Sequence, residues 1–527
     1  MLPATGALAG GTNKTRPENY SGNIIAGVSG WQTTFLMDGV DVTEQHQGGT
    51  WINTSIDALQ EFSVQQSAYS AEYGRAGGFF NATTKSGTNN FRGGLFEFLR
   101  NDKLDARNFF AREREILKRH QFGGTIGGPV VIPRPLNGRN STFFFLGYEA
   151  RRERQGVVFN EIVPSDAQRR GDFSAPGINV IYDPLTTAPN PAGGSNVRTP
   201  FAGNVIAENR LSKPAVFFQK YISPRNTAAG TWSYAPSRAI DFDQITFRLD
   251  RQVATNHRAF ARFSWFDNRQ TDPGQFAELG STPLRSPARN VAAALTSNLR
   301  ADMIHEFRAS YLFGQYRSDA YFQGQGAGIN RQLGLTGLEL LQDPGISSIP
   351  SFSFTGYRGF AGNAGDGRPK WQDRWTQEYT DNLTWIKGKH IMKFGTRIRY
   401  YKPLFTDTRN HNGTYSFTGI STENPARATG TGDGYADFLL GFPASAGRSN
   451  PATWWGGIGA YWHFFFQDDL KVSNKLTLNL GLRYEYSPWF RGYRGQIAAF
   501  DAGRAKSIIV GCDCATGEID LEAQPTA

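Results

Sequence analysis

The stretch WGGIGAYWHFFFQDDLKVSNKLTLNLGLRYEYSPW, residues Trp455–Trp489, decides how the rest of the chain is read. On its second arm Leu476, Leu478, Leu480, Leu482, Tyr484 and Tyr486 share one face, and Thr477, Asn479, Gly481, Arg483 and Glu485 share the other. That is the period of a strand, not the 3.6 of a helix. The first arm places Ile458, Ala460, Trp462, Phe464 and Phe466 opposite Gly459, Tyr461, His463, Phe465 and Gln467, and Val472-Ser473-Asn474-Lys475 supplies the turn. Each arm has roughly ten alternating residues, about twice a soluble strand and enough for a tilted strand to cross a hydrocarbon layer. Slipping the register by one residue would turn Arg483 and Glu485 toward lipid, where an arginine near the midplane costs about 2–4 kcal/mol.

Composition agrees with many such arms. The 527 residues include 60 Gly, 13% aromatics and 19% charged residues, and the mean hydropathy is -0.46. No apolar run reaches the roughly 18 residues of a membrane helix, which excludes a helical membrane protein but not a barrel, whose alternation dilutes its apolar residues. The net charge of +10 comes from bases mixed with acids, as in Arg112-Glu113-Arg114-Glu115, so no nucleic-acid partner is expected. Cys512 and Cys514 are too few for a disulfide framework and have no nearby histidines for a metal site. The opening Met1-Leu2-Pro3-Ala4 shows no signal peptide, so an exported chain of this kind is expected to lack its true N-terminus.

Residues 88–527 read as about eleven arms. Among them, Phe144, Leu146 and Tyr148 oppose Phe145, Gly147, Glu149 and Arg151; Ile245, Phe247 and Leu249 oppose Thr246, Arg248 and Asp250; Phe263 and Trp265 oppose Arg262; Phe394, Ile398 and Tyr400 oppose Arg397 and Arg399. Tight links at 254–256, 303–304, 387–389 and 473–474 fall on one side, with a medium one at 133–139. Long links near 101–119, 155–240, 268–290, 319–372 and 403–455 fall on the other, with a loop-like tail at 490–527. Short turns at one end and long loops at the other are the habit of bacterial outer-membrane barrels.

Residues 1–87 lack long alternating arms. They contain Asp38-Gly39 after a short strand, Glu61 and Val64 in a strand, Tyr73-Gly74-Arg75, Gly77-Gly78, and Asn81 with Thr84-Lys85. In this order the residues resemble the plug-to-barrel junction of TonB-dependent outer-membrane transporters, and the wording around Ala71–Arg75 and Thr84–Asn89 is similar to the Oar-like branch. The resemblance implies an all-β fold: a transmembrane antiparallel β-barrel, incomplete at about 11 of an expected 22 strands, with a partial, small α+β plug domain at the N-terminus. It also implies a Gram-negative cell envelope, a TonB-type energy-transducing partner, and energised uptake of a bulky extracellular solute of the siderophore, oligosaccharide or peptide class. Two readings compete with it, an outer-membrane adhesin or protein-export barrel of the Oar-like type, and a soluble secreted carbohydrate-binding protein.

Under this reading Glu149, Arg151, Arg248, Arg262, Arg397, Arg399, Arg483 and Glu485 face the lumen. Trp265, Trp375, Trp385, Trp462 and Trp489 belong to interfacial girdles, and Arg100, Arg119, Arg151, Arg154, Arg317 and Lys402 meet lipopolysaccharide phosphates. Asp38 with Asp41 reads as turn capping rather than a calcium site. No catalytic pair, metal site or cofactor is expected, and the complete barrel is expected to be a monomer.

Overall fold

The computed structural model describes residues 33–44, 49–66, 70–74, 78–106, 114, 116–132, 136–335, 345, 347–360, 369–406, 412–427, 429–448, 454–488, 491–492, 497–501, 503, 506–512 and 519–520. A small mixed sheet comes first. It consists of β1 (Thr33–Met37), β2 (Val40–Asp41), β3 (Leu59–Gln66) and β4 (Gly78–Thr84) in the order β2-β1-β4-β3, with β1 parallel to β4.

The second sheet runs through β5 (Arg92–Asn101), β6 (Leu117–Pro129), β7 (Thr142–Gly156), β8 (Ser237–Ala254), β9 (His257–Pro273), β10 (Ser281–Arg300), β11 (Met303–Ser318), β12 (Lys370–Lys387), β13 (His390–Thr406), β14 (Trp455–Ser473) and β15 (Leu476–Tyr486). Each strand pairs antiparallel with the next, and Arg491–Gly492 adds a short piece beside β14. Among the described residues β5 and β15 do not pair with each other, so the sheet has two free edges.

Alternation decides which face is which. Leu95, Phe122, Leu146, Phe247, Phe263, Val291, Phe307, Phe394, Phe464 and Leu482 are exposed on one face, while Phe145, Thr246, Arg262, Ser264, Asn290 and Phe465 are buried on the other. Soluble proteins rarely expose a contiguous apolar face of this extent. Two outward acids near the tight links, Asp381 and Asp468, pair with His305 and His390 at 3.1 and 2.7 Å.

The tight links are Thr255-Asn256, Ala301-Asp302, Gly388-Lys389 and Asn474-Lys475, all at one end. Apart from β5, which has 10 residues, the strands are longer than ten, up to 20 in β10 and 19 in β14, because they continue past the apolar band toward the long links. The expected loop at 268–290 is accordingly corrected: only 274–280 links β9 to β10. Pro283 and Pro287 disguise the strand, and its inward positions Thr282, Leu284, Ser286, Ala288 and Asn290 are mostly small or polar. The ladder tolerates the prolines because pairing of β10 with β11 is interrupted at Ser286-Pro287, while the Pro283 carbonyl still accepts from Asp319 N at 3.1 Å.

The long links condense into one body with its own core. Val163, Phe173, Phe218, Phe276, Phe352, Tyr435 and Phe438 are buried together, although they come from four different links. Ser351–Phe354 lies parallel to Thr414–Phe417 within it. The helix Gly434–Leu440 is capped by Asp433, whose carboxylate accepts from Tyr435 N and Ala436 N. Asp437, fully buried, accepts from Gly419 N, Ser421 N and Thr422 N at 2.8, 3.2 and 2.8 Å and from the Thr422 hydroxyl at 2.6 Å. Burial pushes its carboxyl up to about 6 against the pull of those donors.

Candidate functional site

Met37 and Val40 pair directly across Asp38-Gly39, and both central residues have positive φ, 51° and 79°. Two positive φ values define the type I′ hairpin turn, which Asp-Gly adopts readily. The turn sets the Asp38 carboxylate between two sheets. Oδ1 accepts from Thr84 N at 2.9 Å and Oδ2 from the Thr84 hydroxyl at 2.8 Å, while the Asn81 side chain accepts from Gly39 N at 3.2 Å.

From the wall of the large sheet, Arg248 Nη1 donates to Asp38 Oδ1 at 2.9 Å, and Arg262 Nε lies 2.8 Å from Oδ2. Arg262 is buried and spends its other nitrogens on Ser264 Oγ at 2.9 Å and Asn290 Oδ1 at 2.7 Å. One strand along, Asp41 caps Thr43 N at 2.7 Å and pairs with Arg399, which also donates to Glu378 at 2.9 and 2.6 Å. Arg397 reaches the same Glu378 at 3.4 Å. On the far side Arg483 donates to the carbonyls of Ala71 and Glu72 at 3.0 and 3.1 Å and to Glu485 at 2.6 Å. Gly74 beside them has a φ of 70°, a left-handed backbone that favours glycine.

Among the described residues the main apolar contact is one patch. Phe35, Met37, Val42, Trp51 and Ile52 pack on Phe242, Phe266, Leu284, Leu312 and Tyr316. Elsewhere the two sheets stand apart around a cavity of about 240 Å³ lined by Asp38, Gly39, Tyr73, Arg248, Arg308 and Arg397.

The expected residues divide as follows. Asp38, Gly39, Asn81 and Thr84 converge on one point, and Lys85 Nζ instead donates to the Asp57 carbonyl at 2.7 Å. Gly78 opens β4, Tyr73 packs on Phe79 at 4.9 Å, and Glu61 is exposed on β3 away from the cluster. Arg75, Gly77 and Trp489 lie outside the described residues. Glu149 accepts from Gln121 at 2.7 Å on the inner face, and Arg151 stacks over Phe242. Asp41 is more than a turn cap. The wall residues Glu378 and Arg374 escaped notice because the outward positions of β12 mix Trp375 and Tyr379 with Gln377 and Asp381, which blurs the parity of the strand.

The lipopolysaccharide set needs correction. Arg119 donates to Glu153 at 2.5 Å on the inner face, Arg100 pairs in register with Arg119, and Arg151 shares that face. Strand parity turns all three away from lipid. Trp265 and Trp375 lie where the outward positions change from apolar to charged, Trp385 stands beside a tight link with Nε1 3.1 Å from Asp302, and Trp462 is exposed within the apolar band.

Residues 83–525 match the family described as outer membrane beta barrel domain. The chain belongs to that family. Over 140 residues it is 26% identical to the TonB-dependent transporter Oar of Myxococcus xanthus, covering 25% of this chain and 12% of that protein. Among solved structures it is similar to the outer membrane transporter YddB from Escherichia coli, at 10% identity over 88% of this chain and 50% of that one, with a TM-score of 0.48. It is also similar to a mutant ferric enterobactin receptor from Pseudomonas aeruginosa, at 9% identity over 87% and 51%, with a TM-score of 0.44. The chain spans about half the length of those structures and a smaller share of the curated relative. This outer-membrane barrel therefore turns its exposed apolar face to lipid and its charged face to the small sheet.

Proposed function

We propose that residues 1–87 are a plug, residues 88–527 part of the barrel that surrounds it, and that the whole protein is a TonB-dependent transporter taking up a bulky solute. The observation that carries the reading is the Asp38 cluster, where the small sheet is fastened to the wall by Arg248 and Arg262 beside a polar cavity rather than by a continuous apolar core. Parting these contacts exposes charge to water rather than a large apolar surface, and because a buried charge left unpaired is costly, release takes applied work. The 26% identical relative, a TonB-dependent transporter by name, supports the reading.

In this mechanism the folded long links capture solute, a pull transmitted by the TonB-type partner on the N-terminal segment parts Asp38 and Asp41 from the wall arginines, and a polar path opens along Arg248, Arg308 and Arg397. Lipopolysaccharide surrounds the barrel. The test is a deletion of the full gene in its host, with growth and uptake measured on siderophore, oligosaccharide and peptide sources. Loss of uptake of one class supports import. Normal uptake with lost surface attachment or secretion establishes the adhesin or export reading instead, which the Oar-like resemblance keeps open.

A further inference from the structure

We infer that the small sheet turns on a fixed foot: an applied pull opens its Asp38 end, while residues 55–58 and 85–90 stay seated on β6 and β7. The inference rests on the transport reading and adds to it which part of the plug moves. Its starting point is the run Thr84-Lys85-Ser86-Gly87-Thr88-Asn89, of which only Thr84 serves the Asp38 cluster.

The rest of that run builds the foot. Lys85 N donates to the Ala58 carbonyl at 2.9 Å and Lys85 Nζ to the Asp57 carbonyl at 2.7 Å, which ties the run to the short helical turn Ile56–Ala58 and its cap Ser55. Leu59 pairs with Thr84 beside this tie, so the base of the β3–β4 hairpin stands on it. Ala58 is buried against β7 at Gly147, where an added Cβ would stand 3.1 Å from the Ala58 Cβ. Gly87 approaches the wall more closely. A Cβ there would collide with the Phe144 carbonyl and stand 2.7 Å from the Gly128 carbonyl, so the linker rests directly on the backbone of β6 and β7, where only glycine fits. Two residues on, Asn89 Nδ2 donates to Asn140 Oδ1 at 2.5 Å and Asn140 N to Asn89 Oδ1 at 2.7 Å. Asn140 takes a φ of 65° to close this reciprocal clasp, a conformation that asparagine tolerates better than most residues.

The other end of the sheet is held differently. Between β3 and β4, Ser70 Oγ and Ala71 N donate to Gln467 Oε1 at 2.7 and 2.9 Å, and the Asp38 turn meets Arg248 and Arg262 beside the cavity that Tyr73, Arg308 and Arg397 also line. Wall side chains make these contacts, and they can rotate into the open space next to them. At the foot, backbone lies on backbone, and a ladder strand cannot yield there without giving up hydrogen bonds to its neighbours. The chain also enters β5 at Arg92, which tethers residues 85–90 to the wall. A pull arriving from the N-terminal side reaches β1 and the Asp38 turn before residues 55–58, so the end that is held by side chains parts while the end seated on the ladder remains.

The test follows single cysteines in the whole protein expressed in its host, with N-ethylmaleimide as the probe and an uncoupler to remove the inner-membrane gradient. Val40→Cys reports the Asp38 end and Ala58→Cys the foot; both positions are 1% exposed, so both start protected. Labelling of a buried site tracks how often it opens. Energised cells are expected to label Val40→Cys about tenfold faster than uncoupled cells, and Ala58→Cys at one slow rate in both. Pulsed hydrogen exchange of the unaltered protein in the same cells reads the same contrast between Thr33–Asp41 and Ile56–Leu59, whether or not either variant assembles. Energy-dependent opening at both sites means that the plug leaves whole, which overturns the proposal and leaves the transport reading standing. No energy dependence at either site overturns the transport reading, and the proposal with it.

Discussion

The two bodies that the barrel strands hold are fastened in opposite ways. At the long-link end, four separate links are held together by aromatic burial, with Phe218, Phe352, Phe354, Tyr435 and Phe438 in mutual ring contact. Inside the wall, the small sheet is held by Asp38, Asp41 and the carbonyls of Ala71 and Glu72 against arginines, with a single apolar patch around Trp51. Apolar burial is non-directional, whereas a buried ion pair is costly when one partner is left unpaired, so it parts cleanly only when water reaches both charges. On the function proposed above, the loop body stays folded while the inner sheet is released.

Removing a ring from the loop core tests the first half of that contrast with the largest effect. Phe438→Ala is expected to cost about 3–5 kcal/mol locally and to expose amides throughout the loop body to hydrogen exchange, while β1 keeps its protection. Asp38→Asn tests the second half. It removes the charge that Arg248 and Arg262 share, which in a buried setting costs about 3 kcal/mol, and should raise exchange in β1 and β4 with the loop body unchanged. Equal loosening of both bodies by either variant would show that they are one cooperative unit.

Much of this was legible in the sequence, and the limits have physical causes. Period two fixed the faces of β15 and β9, and with them the inward stations of Arg483 and Arg262, because one buried face leaves no freedom of register. Parity does not say which acid an inward arginine meets: Arg248 and Asp38 are 210 residues apart, and only the closed geometry of turn and wall joins them. The upper half of β10 was hidden because above the bilayer nothing forces its outward positions to be apolar. The loop core was hidden for a related reason, since Phe173, Phe218, Phe352 and Phe438 sit in links with no periodicity of their own.

Acidity sharpens the contrast from the loop side. The Asp437 carboxyl rises from its ordinary 3.8 to about 6 in the folded body, so the folded state binds its proton more tightly than the unfolded one. The contribution of this carboxyl to the stability of the body is therefore full below about pH 4, falls as pH climbs from 4 to 6, and is lost above, a span on the order of 2–3 kcal/mol. Asp433, also raised by burial, acts in the same direction, whereas Arg210 lowers Asp183 and acts oppositely only at more acid pH. Hydrogen exchange at Gly419 and Thr422 should slow on acidification after correction for intrinsic rates, and Asp437→Asn should reduce the dependence to the part that Asp433 supplies. A dependence unchanged in Asp437→Asn would assign it to another group.

The smallest expected effect bears on the apolar patch of the inner sheet, which decides how complete its dependence on charge is. Gly314 on β11 gives room to the indole of Trp51: a Cβ there would stand 2.5 Å from the ring carbons. Those atoms belong to a bulky buried side chain, so the indole must shift. Gly314→Ala should therefore cost about 1–2 kcal/mol as overpacking and raise exchange at Trp51 and Ile52 first, with the Asp38 turn following only if patch and ion pairs act together. If the turn keeps its full protection while Trp51 loosens, the charged contacts alone hold the sheet, and release of the segment needs only those few pairs to part.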